Sequence, residues 1–599
     1  MPASTSLLPA SPSTPDFIKP KYGPLVGSRL ALAIGLTLTA VTAAQAVEPR
    51  LPEIHLENLR AQATFDGVIV KFRDGSAAAE RSSNGRLVRG ERIRRLSQLS
   101  GLALQEAEQL AIGAVLIRSA SRAMSADQVL SVLENLATDP EIEYAQPNGR
   151  MYAQFAPNDA LYAQQWHYQD SFAGIRLPSA WNVVNGTGIT VAVLDTGITY
   201  HPDLHANVVQ GYDFISDPTE ARDGDGRDGD PQDQGDWFAP GECPFPSHDV
   251  KRNSTWHGTH VAGTIAALTH NATGVAGVAF GAKVQPLRVL GRCGGSTADI
   301  AQAISWAAGL SVEGVPDNPT PAKVINLSLG AEGYCDTATR KAIELATVQG
   351  ALVVTAAGNS NSGASFTPAS CKHVLNVAAL DRAGNRAAYS NYGSRVDVAA
   401  PGGAGGSAAA SERILSTHND GLTVPGNSSY AWKAGTSMAA PHVAGLAALV
   451  RSFMPSWTPA EVETFIKATA RPIPGKCDEG CGTGLIDASQ AIKKLNGPSL
   501  AKGKGLKLVE NLKEHHFKFV VPDLTKDLRI EVRGGLVDIY VQLNEQATTT
   551  RYQCRTYTAR GVSSCYFERP AEGIYEILVV PQRGFTGATL IADYALLDQ

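Results

Sequence analysis

The run Ile189-Thr-Val-Ala-Val-Leu-Asp195-Thr-Gly197 is aliphatic and β-branched, and it stops on a carboxylate and a turn residue. A strand this apolar is buried on both faces, as a central strand of a parallel sheet is. Asp195 then falls at its carboxyl end, the edge beyond which open α/β sheets bind their ligands. Further runs, Val324–Leu329, Ala351–Ala356 and Val374–Ala378, alternate with Ala-rich helical stretches at Val261–Leu268, Ala298–Ala308, Thr337–Thr347 and Pro441–Phe453. The alternation predicts an α/β unit over residues 153–495, a parallel sheet flanked by helices.

Two other segments carry chemistry. In Gly435-Thr-Ser-Met-Ala-Ala-Pro-His-Val-Ala-Gly445 a glycine allows a sharp turn and Ser437 opens a helix. The unpaired N–H groups of a helix start suit an anion. Pro441 is placed near that start, where its missing N–H costs least. In His257-Gly-Thr-His-Val-Ala-Gly-Thr264, His257 precedes an Ala/Val helix, while His260, one turn further in, is expected to pack or hydrogen-bond. Taken singly, such a serine is usually a helix cap, such a histidine a buried residue and such an aspartate a turn former. Together they supply a nucleophile, a base and a carboxylate that orients the base.

The wording of the three segments resembles the subtilisin (subtilase) family of serine proteases, and Asp…His…Ser is that family's order. The resemblance covers roughly residues 155–495. It implies a subtilisin-like α/β fold and an endopeptidase acting through an acyl-enzyme, with Asp195, His257 and Ser437 as catalytic triad. It also implies that Asn359, in Ala356-Ala-Gly-Asn359, donates to the oxyanion. Ser328, Leu329 and Gly330, in Asn326-Leu-Ser-Leu-Gly330, would pair with an extended protein or peptide substrate. Ala357 and Gly358 would line the facing wall, their small size leaving room for a large apolar side chain. Asp159, Asp203 and Asn271 match the side-chain ligands of the family's calcium site, with main-chain oxygens of Leu268, Thr273 and Val275.

Separately, Asp223-Gly-Asp-Gly-Arg-Asp-Gly-Asp-Pro-Gln-Asp-Gln-Gly-Asp236 gathers Asp223, Asp225, Asp228, Asp230, Asp233 and Asp236 in a Gly-rich insertion. Oxygen-only ligands select a hard ion, so a second structural Ca²⁺ site is expected, the alternative being a solvated acidic loop. The segment lacks the glutamate of an EF-hand loop.

The chain has 599 residues, enough for two to four domains. A net charge of -5 gives no reason to expect a nucleic-acid partner. Lys19, Lys21 and Arg29 precede the apolar stretch Leu30–Val41 and Ala44-Gln45-Ala46, which reads as a signal peptide over 1–46 and a secreted, extracellular product. That stretch is short for a membrane span and no other comes close, so no membrane domain is expected. Residues 47–152 form a small α+β unit with strands at Thr64–Phe72 and Glu141–Gln146 and a Ser125/Gln128 capping box. Its end, Glu143-Tyr-Ala-Gln-Pro-Asn148, resembles a subtilisin propeptide, an intramolecular inhibitor. That likeness puts Glu143–Tyr152 in the cleft and self-cleavage between about Met151 and Ala156, leaving a monomeric mature enzyme.

A linker at 496–505 leads to short alternating strands over 506–599, a β-sandwich that resembles those appended to secreted bacterial proteases. The eight cysteines of an exported chain point to disulfides. Local pairs 477–481 and 554–565 leave 243–293 and 335–371. Two other readings remain open at this point: a catalytically silent binding protein on a protease scaffold, and a processing protease of narrow specificity.

Overall fold

The computed structural model describes residues 52–597, apart from 56–63, 80–81, 121–122, 138, 150–154, 244–249, 496–498, 509–514, 559–560, 583–584 and 586. The signal peptide expected over 1–46 therefore lies outside the described residues.

At the centre is a seven-stranded sheet. Its strands are β1 (Thr190–Asp195), β2 (Tyr212–Asp213), β3 (Lys283–Arg288), β4 (Val324–Leu327), β5 (Leu352–Ala356), β6 (Val374–Leu380) and β7 (Val398–Pro401). They run in the order β7-β6-β5-β4-β1-β3-β2, every pair parallel. Strand alternation explains the continuous apolar runs, because the two faces bury different residues. Val191 and Val193 of β1 belong to one core with helices α1 (His257–Ala266) and α4 (Thr436–Phe453). Ala192 and Leu194 belong to a second core with α2 (Thr297–Ala307) and α3 (Thr337–Val348).

Strand β3 was not foreseen. It carries Gln285 and Pro286, and a proline inside a sheet argues against a central strand. It is tolerated because pairing with β2 begins only at Leu287. Pro441 lies in the second turn of α4 rather than at its start.

Ahead of this unit, Glu53–Ile54, Ile142–Pro147, Val68–Phe72, Ala114–Ser119 and Leu104–Gln109 form a five-stranded sheet in that order. The strand expected over Thr64–Phe72 is two strands, broken around Gly67. Both halves of the Ser125/Gln128 capping box are present. Glu143–Pro147 is an inner strand of this sheet, paired with Glu53–Ile54 on one side and Val68–Phe72 on the other. That stretch is thus committed to its own sheet, and residues 150–154 lie outside the described ones.

Behind the central unit, two four-stranded antiparallel sheets pack face to face around Phe519, Ile530, Val541, Ile577 and Leu590. The sandwich seats on helix α5 (Pro459–Thr469), where Glu572 accepts Thr464 Oγ1 at 2.9 Å and Lys467 Nζ at 2.8 Å. Val520 and Ile574 join the main core. All four expected disulfides form: Cys243–Cys293, Cys335–Cys371, Cys477–Cys481 and Cys554–Cys565. No helix among the described residues is long and apolar enough to cross a membrane.

Candidate active site

β1 delivers Asp195 fully buried at its carboxyl end, and α1 begins on His257 directly against it. The approach depends on Gly258. A Cβ there would lie 2.1 Å from Gly197 O and 3.1 Å from Asp195 Cβ, so only glycine lets the helix start close on the strand end. His257 Nδ1 meets Asp195 Oδ1 at 2.7 Å and Oδ2 at 2.9 Å, while Thr196 N donates to Oδ1 at 2.8 Å. The carboxylate thereby holds the proton on Nδ1 and leaves Nε2 as the basic nitrogen.

Ser437 is the second residue of α4. Its Oγ donates to Ser328 O at 3.1 Å, a resting orientation along the edge of the cleft. Catalytic hydrogen bonds commonly tighten only around substrate. Pro441 has a role beyond ending a pattern. Without an N–H it cannot bond the carbonyl four residues back, that of Ser437. The freed Ser437 O accepts the Ser328 hydroxyl at 2.9 Å, and Asn326 Nδ2 donates to the same hydroxyl at 2.9 Å. The strand segment Asn326–Gly330 is thus tied to the serine helix.

Asn359 Oδ1 accepts Thr436 N at 2.9 Å and Thr436 Oγ1 at 3.0 Å. A Cβ built on Gly435 would stand 3.7 Å from both Asn359 Oδ1 and Ser437 N and 3.8 Å from Asn359 Nδ2. The Asn359 amide and the Ser437 N–H thus both lie beside Gly435 at the head of the helix, the kind of groups that can donate to a developing oxyanion. Thr436, which aims the amide, was not singled out from the sequence, although it lies inside the quoted motif. His260 donates from Nε2 to Ala431 O at 3.0 Å and is fully buried, a packing residue as expected.

Asp159, Asp203 and Asn271 are brought together. Asp159 Oδ2 accepts His270 N at 2.9 Å, Asn271 Nδ2 donates to Asp203 Oδ1 at 2.7 Å, and Val275 N donates to Asp203 Oδ2 at 2.9 Å. Burial, with a smaller contribution from Asp159, pushes the Asp203 carboxyl up to about 6. Two buried carboxylates and an asparagine side chain thus stand together, oxygen-bearing groups of the kind a hard cation takes.

The six aspartates of the insertion are not gathered around one point. Asp223 pairs with Arg288 Nη1 at 2.6 Å, Asp233 accepts Thr196 Oγ1 at 2.6 Å, and Asp236 accepts Thr255 Oγ1 at 2.8 Å. Asp228 and Asp230 cap turns through Asp230 N at 2.8 Å and Gln232 N at 3.1 Å. Asp225 is exposed, its N–H 3.3 Å from Asp223 Oδ1. Among the described residues no group of three or more His, Cys, Asp or Glu side chains could hold a metal ion. Of the six, Asp223 is the one that meets the buried guanidinium of Arg288. Arg288 stands at the end of β3, in register with Asp195, and binds Asp213 as well as Asp223.

A parallel sheet carrying a His–Asp pair and, beside an asparagine amide, a helix-start serine defines a serine endopeptidase. The family model described as "Peptidase_S8: Subtilase family" matches residues 186–501, and the chain belongs to that family. It is 42% identical over 563 residues to an extracellular protease of Xanthomonas campestris pv. campestris, covering 90% of this chain and 94% of the relative. It is 43% identical over 442 residues to an extracellular basic protease of Dichelobacter nodosus, covering 72% of this chain and 70% of that one. A solved protease structure from Pseudoalteromonas arctica superposes with a TM-score of 0.56 at 52% identity, over 57% of this chain and 100% of the other.

Proposed function

We propose that the chain is an exported zymogen whose mature form is a monomeric endopeptidase cutting proteins along extended, main-chain-bound segments with broad sequence tolerance. The observation that carries the reading is the contact of His257 Nδ1 with Asp195, with the Asn359 amide and Ser437 N placed together at the head of α4. In this reading His257 Nε2 takes the proton of Ser437 Oγ as the oxygen attacks the peptide carbonyl. Asp195 stabilises the imidazolium, and the two donors hold the oxyanion. The imidazolium then protonates the leaving amine, and water releases the acyl-enzyme by the same route. Ser328, Leu329 and Gly330 provide the edge for the substrate backbone, and Ala357 and Gly358 the opposite wall.

Residues 1–46 serve as signal peptide and 47–152 as propeptide. Residues 153–495 are the peptidase, 496–505 a linker and 506–599 an appended sandwich. The extracellular relatives support export. Calcium is proposed at Asp159, Asp203 and Asn271, where it would neutralise two buried carboxylates and brace the segment before β1 against the loop after α1. The test is casein hydrolysis by purified wild-type and Ser437→Ala proteins, each with and without a calcium chelator. Activity confined to the wild type supports the serine mechanism, and its loss with chelator supports the structural ion. Equal activity in both proteins would refute the triad.

A further inference from the structure

Resting on the cleft walls just assigned, we propose that Phe366 closes the first specificity pocket and narrows the broad tolerance at this one position, admitting only small side chains before the scissile bond. The two walls are Gly330 and Gly358, and the space between them is not open. A Cβ on Gly358 would stand 3.0 Å from Phe366 Cδ2 and Cγ. On Gly330 it would stand 2.5 Å from Phe366 Cε1 and 2.4 Å from Thr367 O. One aromatic ring therefore touches both walls, and each wall must be glycine to admit it.

The ring is fixed by its backbone. Phe366–Thr367 pairs antiparallel with Ala331–Glu332, the residues that follow the substrate edge, with Glu332 opposite Phe366. Phe366 O accepts Ser370 N at 2.7 Å, and the Cys335–Cys371 disulfide joins the two arms just beyond. A hinge motion of this ladder would have to break those bonds, so the ring is part of the wall rather than a loose cover.

Beyond it lies a cavity of about 60 Å³, to which Phe366 contributes one side and Ala357, Ala369, Asn376, Asn391 and Val396 others. Removing the ring joins that cavity to the gap between Gly330 and Gly358 and makes a deep slot. Small residues on the walls were expected to leave room for a large apolar side chain. The room exists, and the protein's own phenylalanine fills it. The matching substrates are peptides with Gly, Ala or Ser before the cut, their backbone held along Ser328–Gly330.

The experiment compares kcat/KM on peptide amides that differ only in the residue before the scissile bond, Ala against Phe, with active enzyme counted by a small organophosphorus fluoride. The wild type is expected to prefer Ala by at least about tenfold, the scale on which pocket volume discriminates. Phe366→Gly is expected to reverse the order, with kcat/KM on the Phe substrate exceeding that on the Ala substrate. Phe366→Leu, which disturbs folding less, should narrow the preference. Wild-type enzyme that cuts after Phe as readily as after Ala overturns the proposal. So does a titratable Phe366→Gly protein with the wild-type ranking. Failure of the wild type to titrate or to cut either peptide refutes the catalytic reading itself, and this inference with it.

Discussion

Replacing Asn359 by aspartate separates the two jobs of one side chain. The oxygen that accepts Thr436 N and Oγ1 is retained, so the bonds that seat the loop on the helix head survive. The Nδ2 donor is lost. Removing one such donor costs about 10²–10³ in kcat, about 2.7–4 kcal/mol of transition-state stabilisation. The new carboxylate adds repulsion toward a developing oxyanion. At about 4 Å and an effective dielectric of about 20, that amounts to about 4 kcal/mol. The aspartate variant should therefore fall below Asn359→Leu in kcat, which loses the donor without gaining charge. The order reverses in stability. Leucine forfeits two neutral hydrogen bonds at about 1 kcal/mol each, whereas aspartate keeps both acceptors. The assay is kcat on a soluble peptide amide, normalised by active-site titration, with urea unfolding of the same variants on a Ser437→Ala background. KM should change little, since the lost interaction belongs to the transition state. An aspartate variant within tenfold of wild-type kcat would refute the oxyanion assignment and leave the Ser437 N–H to act alone.

Ser437→Ala is expected to purify with residues 47 to about 152 still attached, seen by intact mass; maturation at the wild-type position would exclude self-processing. Asp203→Asn should abolish the calcium-dependent rise in Tm while leaving Tm in chelator near the wild-type value, and an undiminished rise would place the ion elsewhere. Burial drives His442 down to about 4 and lowers His167, whose Nδ1 lies 2.8 Å from His442 Nε2. The unfolded chain takes up those protons near pH 6.5, so this contribution is intact above 6.5 and is lost as pH falls toward 4, about 3 kcal/mol for His442. His442→Gln should flatten that slope in urea unfolding, and an unchanged slope would clear the pair. Glu463 is pushed up to about 8, chiefly by burial and then by Asp397, with Lys467 opposing. Its folded-state proton is worth most below about pH 4.5, and stability drains as pH rises toward 8, so Glu463→Gln should raise Tm at pH 8 more than at pH 5.

What could be read in advance was whatever a short stretch settles locally. The Ile189–Gly197 run declared its double burial, the Ser125/Gln128 box its helix start, and the three quoted motifs their chemistry. What could not be read depended on a partner far along the chain. Phe366 sits in an unremarkable loop segment, and nothing near it announces that its ring will lie between Gly330 and Gly358. Pro441 looked like a helix-start proline. Its effect, releasing Ser437 O for the Ser328 hydroxyl, emerges only when the two segments meet.

The acidic insertion shows how much one unrecognised strand conceals about the surroundings of a carboxylate cluster. A carboxylate cluster needs compensation, and a divalent ion and a buried guanidinium supply it equally well in principle. The sequence offered the aspartates within fourteen consecutive positions, while Arg288 was hidden in a strand disguised by Gln285 and Pro286. Once β3 lies between β1 and β2, Arg288 is fully enclosed, binding Asp213, Asp223 and the carbonyl of Ala221. Asp233 then bonds Thr196, whose hydroxyl in turn accepts Gly258 N beside the His257–Asp195 pair. The insertion thereby buttresses the edge that carries the His257–Asp195 pair through a chain of hydrogen bonds. Asp203 is in a different position. The groups that act on it are an N–H, an amide, a phenol and another carboxylate, none of them cationic. Asp203 is therefore a buried carboxyl that no cationic side chain answers, which is the ground of the calcium proposal made above.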